Sequence, residues 1–198
     1  MSDSRHDLAI FPLNTVLFPG GLLPLRIFEQ RYMEMAKACL KNDEHFGICL
    51  IRSGREVDAP AVPESIGSTA KIVEWDMQQL GILSVKVQGG QRFRIIESRV
   101  TESGLTRASV EMLPHDADSS LPAEFGDCAM LLKAIFEEHG SQIVAAPLRF
   151  ESSSWVSSRL AEILPVPLAA KQKLLELEDA RQRIEIVDKF LQQHRLAG

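Results

Sequence analysis

Residues 11–40 read FPLNTVLFPGGLLPLRIFEQRYMEMAKACL, and this stretch predicts a strand, a turn, a second strand and a helix in immediate succession. The pair Pro19-Gly20 predicts a type II turn, because proline presets φ at about −65° and glycine accepts the positive φ that follows. The next apolar run contains Pro24, which has no main-chain N–H for a sheet, so we expect this run at an edge or a bulge. Helical spacing of apolar residues then begins, and the predicted inward face carries Phe28, Tyr32, Met35, Ala36 and Cys39.

The opposite face of this predicted helix is polar, with Glu29, Gln30, Arg31 and Glu34. We expect these four side chains to be exposed. Arg31 and Glu34 have the i, i+3 spacing of a weak surface ion pair. Because most charged helix faces are simply solvated, the pattern alone does not indicate a binding site.

The composition is that of an ordinary globular protein, with 198 residues, 45% hydrophobic and 25% charged. The formal net charge of −5 disfavours nucleic acid as the main partner, since proteins that bind it usually carry a basic patch. No run approaches the roughly 18 apolar residues of a membrane span, and the N-terminus lacks the features of a signal peptide. The three cysteines form no C-x-x-C pair, which favours buried, reduced thiols. We therefore expect a soluble cytoplasmic protein with no membrane partner.

Hydrophobic periodicity changes once along the chain. Between about residues 70 and 112 apolar and polar residues alternate, as is typical of strands, and Gly89-Gly90 predicts a tight reversal. After a polar linker at 114–120 the period becomes helical, with Gly140 predicted to end the first helix and Ser152 or Ser153 and Asp179 predicted as later caps. The sequence thus predicts an α+β protein. An antiparallel, β-rich sandwich or pseudo-barrel with one helix occupies residues 1–115, and a small α-helical bundle occupies residues 116–198.

The familiar sequence motifs of catalysis and metal binding are absent. The chain has no G-x-x-x-x-G-K-[ST] loop, no H-E-x-x-H, no zinc-ligand spacing and no G-x-S-x-G turn, and its five histidines are dispersed. We expect no catalytic residues, no metal and no cofactor. The segment Arg92-Phe93-Arg94 is the best candidate for nucleic-acid contact. Alternation would send Phe93 inward with both arginines facing water, so a solvated strand face is the simpler interpretation.

Three segments carry a resemblance to a known family. Residues 11–35 (FPLNTVLFPGGLLPLRIFEQRYMEM), 87–95 (VQGGQRFRI) and 164–187 (LPVPLAAKQKLLELEDARQRIEIV) resemble the N-terminal, substrate-binding domain of bacterial-type Lon ATP-dependent proteases. The resemblance implies a β-rich, PUA-like domain followed by a helical subdomain. The ATPase domain and the Ser-Lys peptidase domain of that family are missing from this sequence, so we expect a stand-alone member without catalysis of its own.

The resemblance also implies a function, because in that family this domain helps to select and hold protein substrates. We expect a protein that binds unfolded or degron-bearing polypeptides as an adaptor or a holdase, with a full-length Lon-type protease as a second expected partner. Glu29, Gln30, Arg31 and Glu34 would then form part of the contact surface. Two alternatives remain open: an RNA- or modified-base-binding PUA-like module, and a small-molecule-binding protein or hydrolase that uses a cleft between the two halves.

Overall fold

A computed structural model describes residues 5–57, 59–117, 119–139 and 147–195. Contacts within the chain divide it into two compact units, one through residue 114 and one from residue 115. The predicted domain boundary, after residue 115, lies next to this division. Each unit is described below by itself.

The first unit is a mostly antiparallel sheet with one helix. Its elements are β1 (Arg5–Leu13), β2 (Leu22–Ile27), α1 (Gln30–Asn42), β3 (Phe46–Ser53), β4 (Val62–Pro63), β5 (Ile66–Gln79), β6 (Ile82–Val100) and β7 (Thr106–Met112). The strands follow the order β1-β7-β6-β5-β3-β4, and a parallel pairing of β1 with β3 closes five of them into a ring. β2 pairs antiparallel with the first half of β6. The predicted antiparallel, β-rich architecture with one helix is therefore confirmed, whereas the label PUA-like stays a prediction.

Two groups of buried side chains hold this unit together. A smaller cluster contains Ile10, Cys49, Phe93, Ala108 and Val110. A larger cluster joins α1 to the sheet, and in it the rings of Phe11 and Tyr32 stack with centroids 3.9 Å apart. Because successive residues of a strand point to opposite faces, β1 supplies Ile10 to one cluster and Phe11 to the other.

The turn before β2 forms as the sequence predicts. The Gly21 N–H donates to the Phe18 carbonyl at 3.0 Å, and Gly20 takes a φ of 78°. These are the hydrogen bond and the positive φ of a type II turn with Pro19 at its second position. Pro24 lies in a strand that pairs on one side only among the described residues, so the expected edge position is confirmed.

The predicted reversal at Gly89-Gly90 is wrong. β6 continues straight through both glycines. A Cβ on Gly89 would lie 2.2 Å from the Phe18 carbonyl oxygen, and one on Gly90 would lie 2.4 Å from Thr69 Oγ1. Glycine is required here because neighbouring chain segments approach closely, which is the other common reason for glycine inside a strand.

Two expectations about exposure in this unit are also wrong. Phe28 precedes α1, whose N-cap is Glu29, and its side chain is 58% exposed instead of facing the core. Arg92 is buried along with Phe93, so the Arg92-Phe93-Arg94 segment is not a basic surface strand. Only Arg94 of the three is exposed.

The second unit is helical. A short 3₁₀ helix (Ala123–Phe125) leads into α2 (Gly126–His139), and α3 (Ser153–Ile163), α4 (Leu168–Glu176) and α5 (Ala180–Arg195) follow. The predicted caps are present: Ser152 Oγ accepts from the Trp155 N–H, and Asp179 Oδ1 accepts from the Arg181 N–H. The predicted last-turn glycine of α2, Gly140, lies outside the described residues. None of the helices in the described ranges is long and apolar enough to cross a membrane.

Buried polar contacts tie the helices of this unit together. Arg183 of α5, which is fully buried, donates to Asp116 Oδ2 and, at 3.1 Å, to Ser157 Oγ of α3. Leu160 of α3 and Ile184 of α5 are fully buried as well. The helices predicted for the second half of the chain are present. Their description as a small bundle stays a prediction.

Candidate functional site

The strand β2 leaves one side open. The Gly89 N–H donates to the Gly21 carbonyl at 2.8 Å, and alternation along the antiparallel pair then gives the β6-facing hydrogen bonds to Leu23 and Leu25. The main-chain groups of Leu22 and Arg26, and the ring nitrogen of Pro24, face the opposite way. We call this side the open edge of β2; it offers hydrogen bonds at Leu22 and Arg26, with Pro24 interrupting the row between them.

A small cavity borders β2, and we call it the β2 cavity. Its volume is about 180 Å³. The stacked rings of Phe11 and Tyr32 are among the groups that line it, and the segment around Glu56 reaches it from another part of the chain. The complete lining is Phe11, Leu13, Pro24, Leu25, Arg26, Ile27, Phe28, Glu29, Tyr32, Glu56 and Val57.

Arg31 packs against Tyr32, one of the residues that line this cavity. Its side chain is only 6% exposed, and its guanidinium carbon lies 4.7 Å from the centroid of the Tyr32 ring. Arg31 Nη2 pairs with Glu29 Oε2 at 2.8 Å, while Nη1 donates to the Gly104 carbonyl at 3.1 Å. Burial raises the pKa of the Tyr32 phenol, and the charge of Arg31 partly opposes that rise. The tyrosine is therefore a neutral, fixed wall of the cavity.

A second, larger cavity lies where β2 meets the hairpin of β5 and β6, and we call it the hairpin cavity. Its volume is about 500 Å³, and it is lined by Pro24, Leu25, Arg26, Glu74, Trp75, Asp76, Ser84, Val85 and Lys86. Lys86 Nζ pairs with Glu74 Oε2 at 2.7 Å across the two strands. Trp75 is 61% exposed. Trp75 lies on β5, which β6 separates from β2, and its ring forms part of the apolar surface that lines this cavity.

The structure separates the four side chains that the sequence groups into one contact surface. Gln30 and Glu34 are exposed on α1 and bond to each other at 2.8 Å, from Nε2 to Oε1. Glu29 is half-buried and lines the β2 cavity. The expected exposure of Arg31 is wrong, and its ion pair is made with Glu29 instead of Glu34. The binding role of all four residues stays a prediction.

The exposed apolar residues near β2 were not predicted from the sequence. Phe28 was assigned to the core, and Trp75 was treated as one more residue of an alternating strand. Val73, Trp75 and Met77 lie in the half of β5 near the hairpin, where register shifts interrupt the alternation, so the pattern gave no signal for their exposure. All three are exposed.

The candidates for other chemistry do not assemble into a site. Ser152 caps α3, as expected. Within the described ranges, no three His, Cys, Asp or Glu side chains converge in a way that could hold a metal ion. Arg92 is buried, so the segment Arg92-Phe93-Arg94, the best sequence candidate for nucleic-acid contact, does not present both arginines at the surface.

Comparison with known proteins identifies the family. The sequence model of the ATP-dependent protease La (LON) substrate-binding domain matches residues 7–193. The chain belongs to this family. A crystal structure of a Lon N-terminal domain protein from Xanthomonas campestris matches with a TM-score of 0.77 and 32% identity, covering 92% of this chain and 96% of that one. The Lon resemblance stated from the sequence is therefore confirmed.

Longer proteins are similar to this chain over part of their length. Lon protease 2 of Myxococcus xanthus is 30% identical over 202 residues, which cover 98% of this chain and 24% of the protease. Cereblon of Gallus gallus is 32% identical over 116 residues, covering 57% of this chain and 25% of cereblon. The chain thus spans about a quarter of the length of these relatives.

Proposed function

We propose that this LON substrate-binding domain holds an extended polypeptide segment along the open edge of β2. The single observation that carries the proposal is a strand edge with outward main-chain groups at Leu22 and Arg26, bordered by two cavities. A segment that adds a strand there gains main-chain hydrogen bonds. Its alternate side chains then point to the two faces of the sheet, next to the β2 residues that line both cavities.

The partners in this proposal are unfolded or degron-bearing polypeptides. An extended segment is available in an unfolded chain and not in a compact domain. The edge of β2 therefore selects unfolded over folded proteins, whatever the sequence of the segment. The domain acts without catalysis, as an adaptor or a holdase, and passes its cargo to a Lon-type protease. Membership of the LON substrate-binding family supports the choice of polypeptide as ligand.

The α1 residues predicted from the sequence fit at the margin of this surface. Glu29 follows Phe28 directly after β2 and contributes to the β2 cavity. Gln30, the first residue of α1, and Glu34, one turn further along, are both exposed and extend the surface. Arg31 takes part only by holding Glu29 and Tyr32 in place.

The experiment is a titration of the protein into a fluorescently labelled, reduced and alkylated polypeptide that cannot fold, followed by anisotropy. Two variants at one position separate the main-chain contribution from the side chain. Arg26→Ala removes the charge, whereas Arg26→Pro also removes an N–H that faces the open edge and not β6. We expect binding by the native protein and a weaker affinity for Arg26→Pro than for Arg26→Ala. No binding up to high micromolar concentration, or equal affinities for the two variants, would contradict strand addition.

Small-molecule binding remains a second candidate because of one cavity in the helical unit. This cavity has a volume of about 370 Å³, within the range of about 300–1,000 Å³ typical of ligand sites. Leu174 of α4 and Val187 and Phe190 of α5 are among its mostly apolar lining residues. Co-purified ligand, released by denaturation and detected by mass spectrometry, would support this candidate, and a ligand-free preparation would count against it.

A further inference from the structure

We infer that the β2 cavity receives a long cationic side chain, lysine or arginine, of the bound polypeptide. The inference rests on the proposed function, because it names what one position of an extended segment presents to the domain. Three features of the cavity carry it: its size, its aromatic surface and the carboxylates of Glu29 and Glu56.

The size of the cavity limits its occupant to part of a chain. Its volume of about 180 Å³ lies below the range of roughly 300–1,000 Å³ found for small-molecule sites. It opens beside β2, where a strand added to the open edge would place every second side chain. One side chain of such a segment is the occupant that this position and volume fit.

The aromatic and aliphatic surface suits a long stem with a charged end. Phe11, Tyr32 and the exposed ring of Phe28 line the cavity, together with Leu25 and Ile27 of β2. Lysine and arginine lay their methylene stems along apolar surface while the charged group reaches a polar partner. A cation over the exposed face of Phe28 gains a further electrostatic contribution.

Two carboxylates supply that polar partner. Glu29 Oε2 pairs with Arg31, and Glu56 Oε1 accepts from the Asn14 N–H. Each contact uses one oxygen, so each carboxylate keeps a second oxygen for an incoming donor. A guanidinium or ammonium bonded to a carboxylate makes a stronger hydrogen bond than a neutral donor does.

The balance of nearby charge favours a cation. Arg31 offsets Glu29 but does not line the cavity, and among the described residues the hydrogen-bond partner of Glu56 is the neutral Asn14 amide. Arg26 is the one other charged residue that lines the cavity, and its position in β2 alternates with Leu25 and Ile27. Its Cβ therefore points toward the face on which Ser84, its partner in β6, lies. Among the residues that the structure describes, the carboxylate of Glu56 forms no ion pair with Arg26 or another cation of the cavity.

The test uses three extended peptides that are identical except at one central position, which carries lysine, norleucine or glutamate. Norleucine keeps the apolar stem and removes the charge. We expect the lysine peptide to bind about tenfold more tightly than the norleucine peptide, and the glutamate peptide to bind weakest. An arginine peptide tests whether the two cations are equivalent.

Protein variants locate the effect. Glu29→Gln and Glu56→Gln, alone and together, should reduce the preference for lysine over norleucine to about twofold or less. Glu137→Gln, at an exposed carboxylate of α2 that does not line the β2 cavity, is the matched control and should keep the preference. Thermal melts of each variant show that the fold is intact, and Glu29→Gln alone suffices if Glu56→Gln fails to fold.

The outcomes separate this inference from the proposed function. The inference of a cationic occupant would be wrong if the lysine and norleucine peptides bound equally. It would also be wrong if the preference for lysine persisted in both glutamine variants. Neither result would contradict strand addition at β2. Failure of all peptides to bind would instead remove the proposed function, and the present inference with it.

Discussion

Pro24 of β2 lies opposite Lys86 of β6, at a position where its ring nitrogen faces the open edge. Proline there costs the β2–β6 ladder nothing, because no bond to β6 is lost. It removes one donor from the middle of an otherwise available row. Proline on an edge strand is one of the devices that limit pairing between copies of the same sheet. The edge of β2 can therefore accept a partner strand, while Pro24 limits its pairing with other copies of the protein.

Pro24→Thr restores this donor, and we expect two results from it. A partner segment gains one main-chain hydrogen bond, so affinity for an unfolded polypeptide should rise by about threefold to tenfold. Association between copies should also become detectable at high concentration by light scattering. Pro165→Thr, the same change at an exposed position after α3, is the control. If Pro24→Thr changed neither affinity nor association, the edge would not be the pairing surface.

Trp75→Ala should weaken polypeptide binding without loss of stability. The side chain is 61% exposed, so its removal costs the folded state little, but it takes away a wall of the hairpin cavity. We expect a loss of about fivefold to thirtyfold in affinity by anisotropy, with an unchanged melting temperature. Met130→Ala in α2 is matched in exposure, also 61%, and should bind as the native protein does. Equal losses for the two variants would indicate nonspecific apolar contact.

Arg31→Ala should destabilise the protein, in contrast to Arg26→Ala. Arg31 is buried and contacts Glu29, Tyr32 and the Gly104 carbonyl, so its truncation leaves two half-buried polar groups without this partner and removes the packing on Tyr32. We expect a loss of about 2 kcal/mol in the free energy of unfolding for Arg31→Ala, measured by urea denaturation. For the exposed Arg26→Ala we expect a change within about 0.5 kcal/mol. A neutral Arg31→Ala would mean that these contacts do not hold the wall of the β2 cavity.

Gly89→Ala should be among the most damaging single changes in the sheet. The new Cβ would lie 2.2 Å from the Phe18 carbonyl oxygen, so one of two main-chain segments must move. We expect a loss of more than about 2 kcal/mol of stability by the same denaturation assay. Gly126→Ala at the start of α2 meets no atom within 4 Å and should instead be neutral or stabilising by roughly 0.5–1 kcal/mol. Similar effects at both glycines would contradict the close approach of Phe18 to β6.

The buried thiol of Cys39 should make stability depend on pH in the alkaline range. Burial raises its pKa from 9.0 to about 11. From pH 9 upward the unfolded chain loses this proton while the folded protein retains it, so the free energy of unfolding should fall until the pH reaches about 11. Below pH 9 the thiol is protonated in both states and contributes no slope.

The slope should approach about 1.4 kcal/mol per pH unit for this single group. Cys39→Ala removes it, and the difference between the two proteins isolates the thiol from lysines that titrate in the same range. Parallel curves for the native protein and Cys39→Ala between pH 9 and 11 would show that the thiol is accessible to water in the folded state.

The parts of the fold that the sequence predicted are those fixed by local chemistry. Pro19-Gly20 forms its type II turn, Pro24 lies at an edge, and Ser152 and Asp179 cap their helices. In each case the deciding atoms lie within a few residues of each other. Such features can be predicted without knowledge of the rest of the chain.

The failures have the opposite cause. A Gly-Gly pair is compatible both with a tight reversal and with the close approach of another chain segment. The contact of Gly89 with Phe18, which is far away in the sequence, decides between the two. Arg31 is buried because Gly104 lies over it, 73 residues away. Phe28 was included in the helical periodicity although the helix begins two residues later, and element boundaries are where pattern reasoning is least reliable. The candidate site was missed in part because it depends on such long-range neighbours.

Amide hydrogen exchange at β2 tests the central claim most directly. In the free protein the amides of Leu22 and Arg26 should exchange quickly, because they face the open edge, while those of Leu23 and Leu25 are protected by β6. Saturation with an unfolded polypeptide should slow Leu22 and Arg26 by at least about tenfold and leave Leu23 and Leu25 as they were. A polypeptide that binds tightly while Leu22 and Arg26 keep exchanging at their free rates would contradict strand addition at β2.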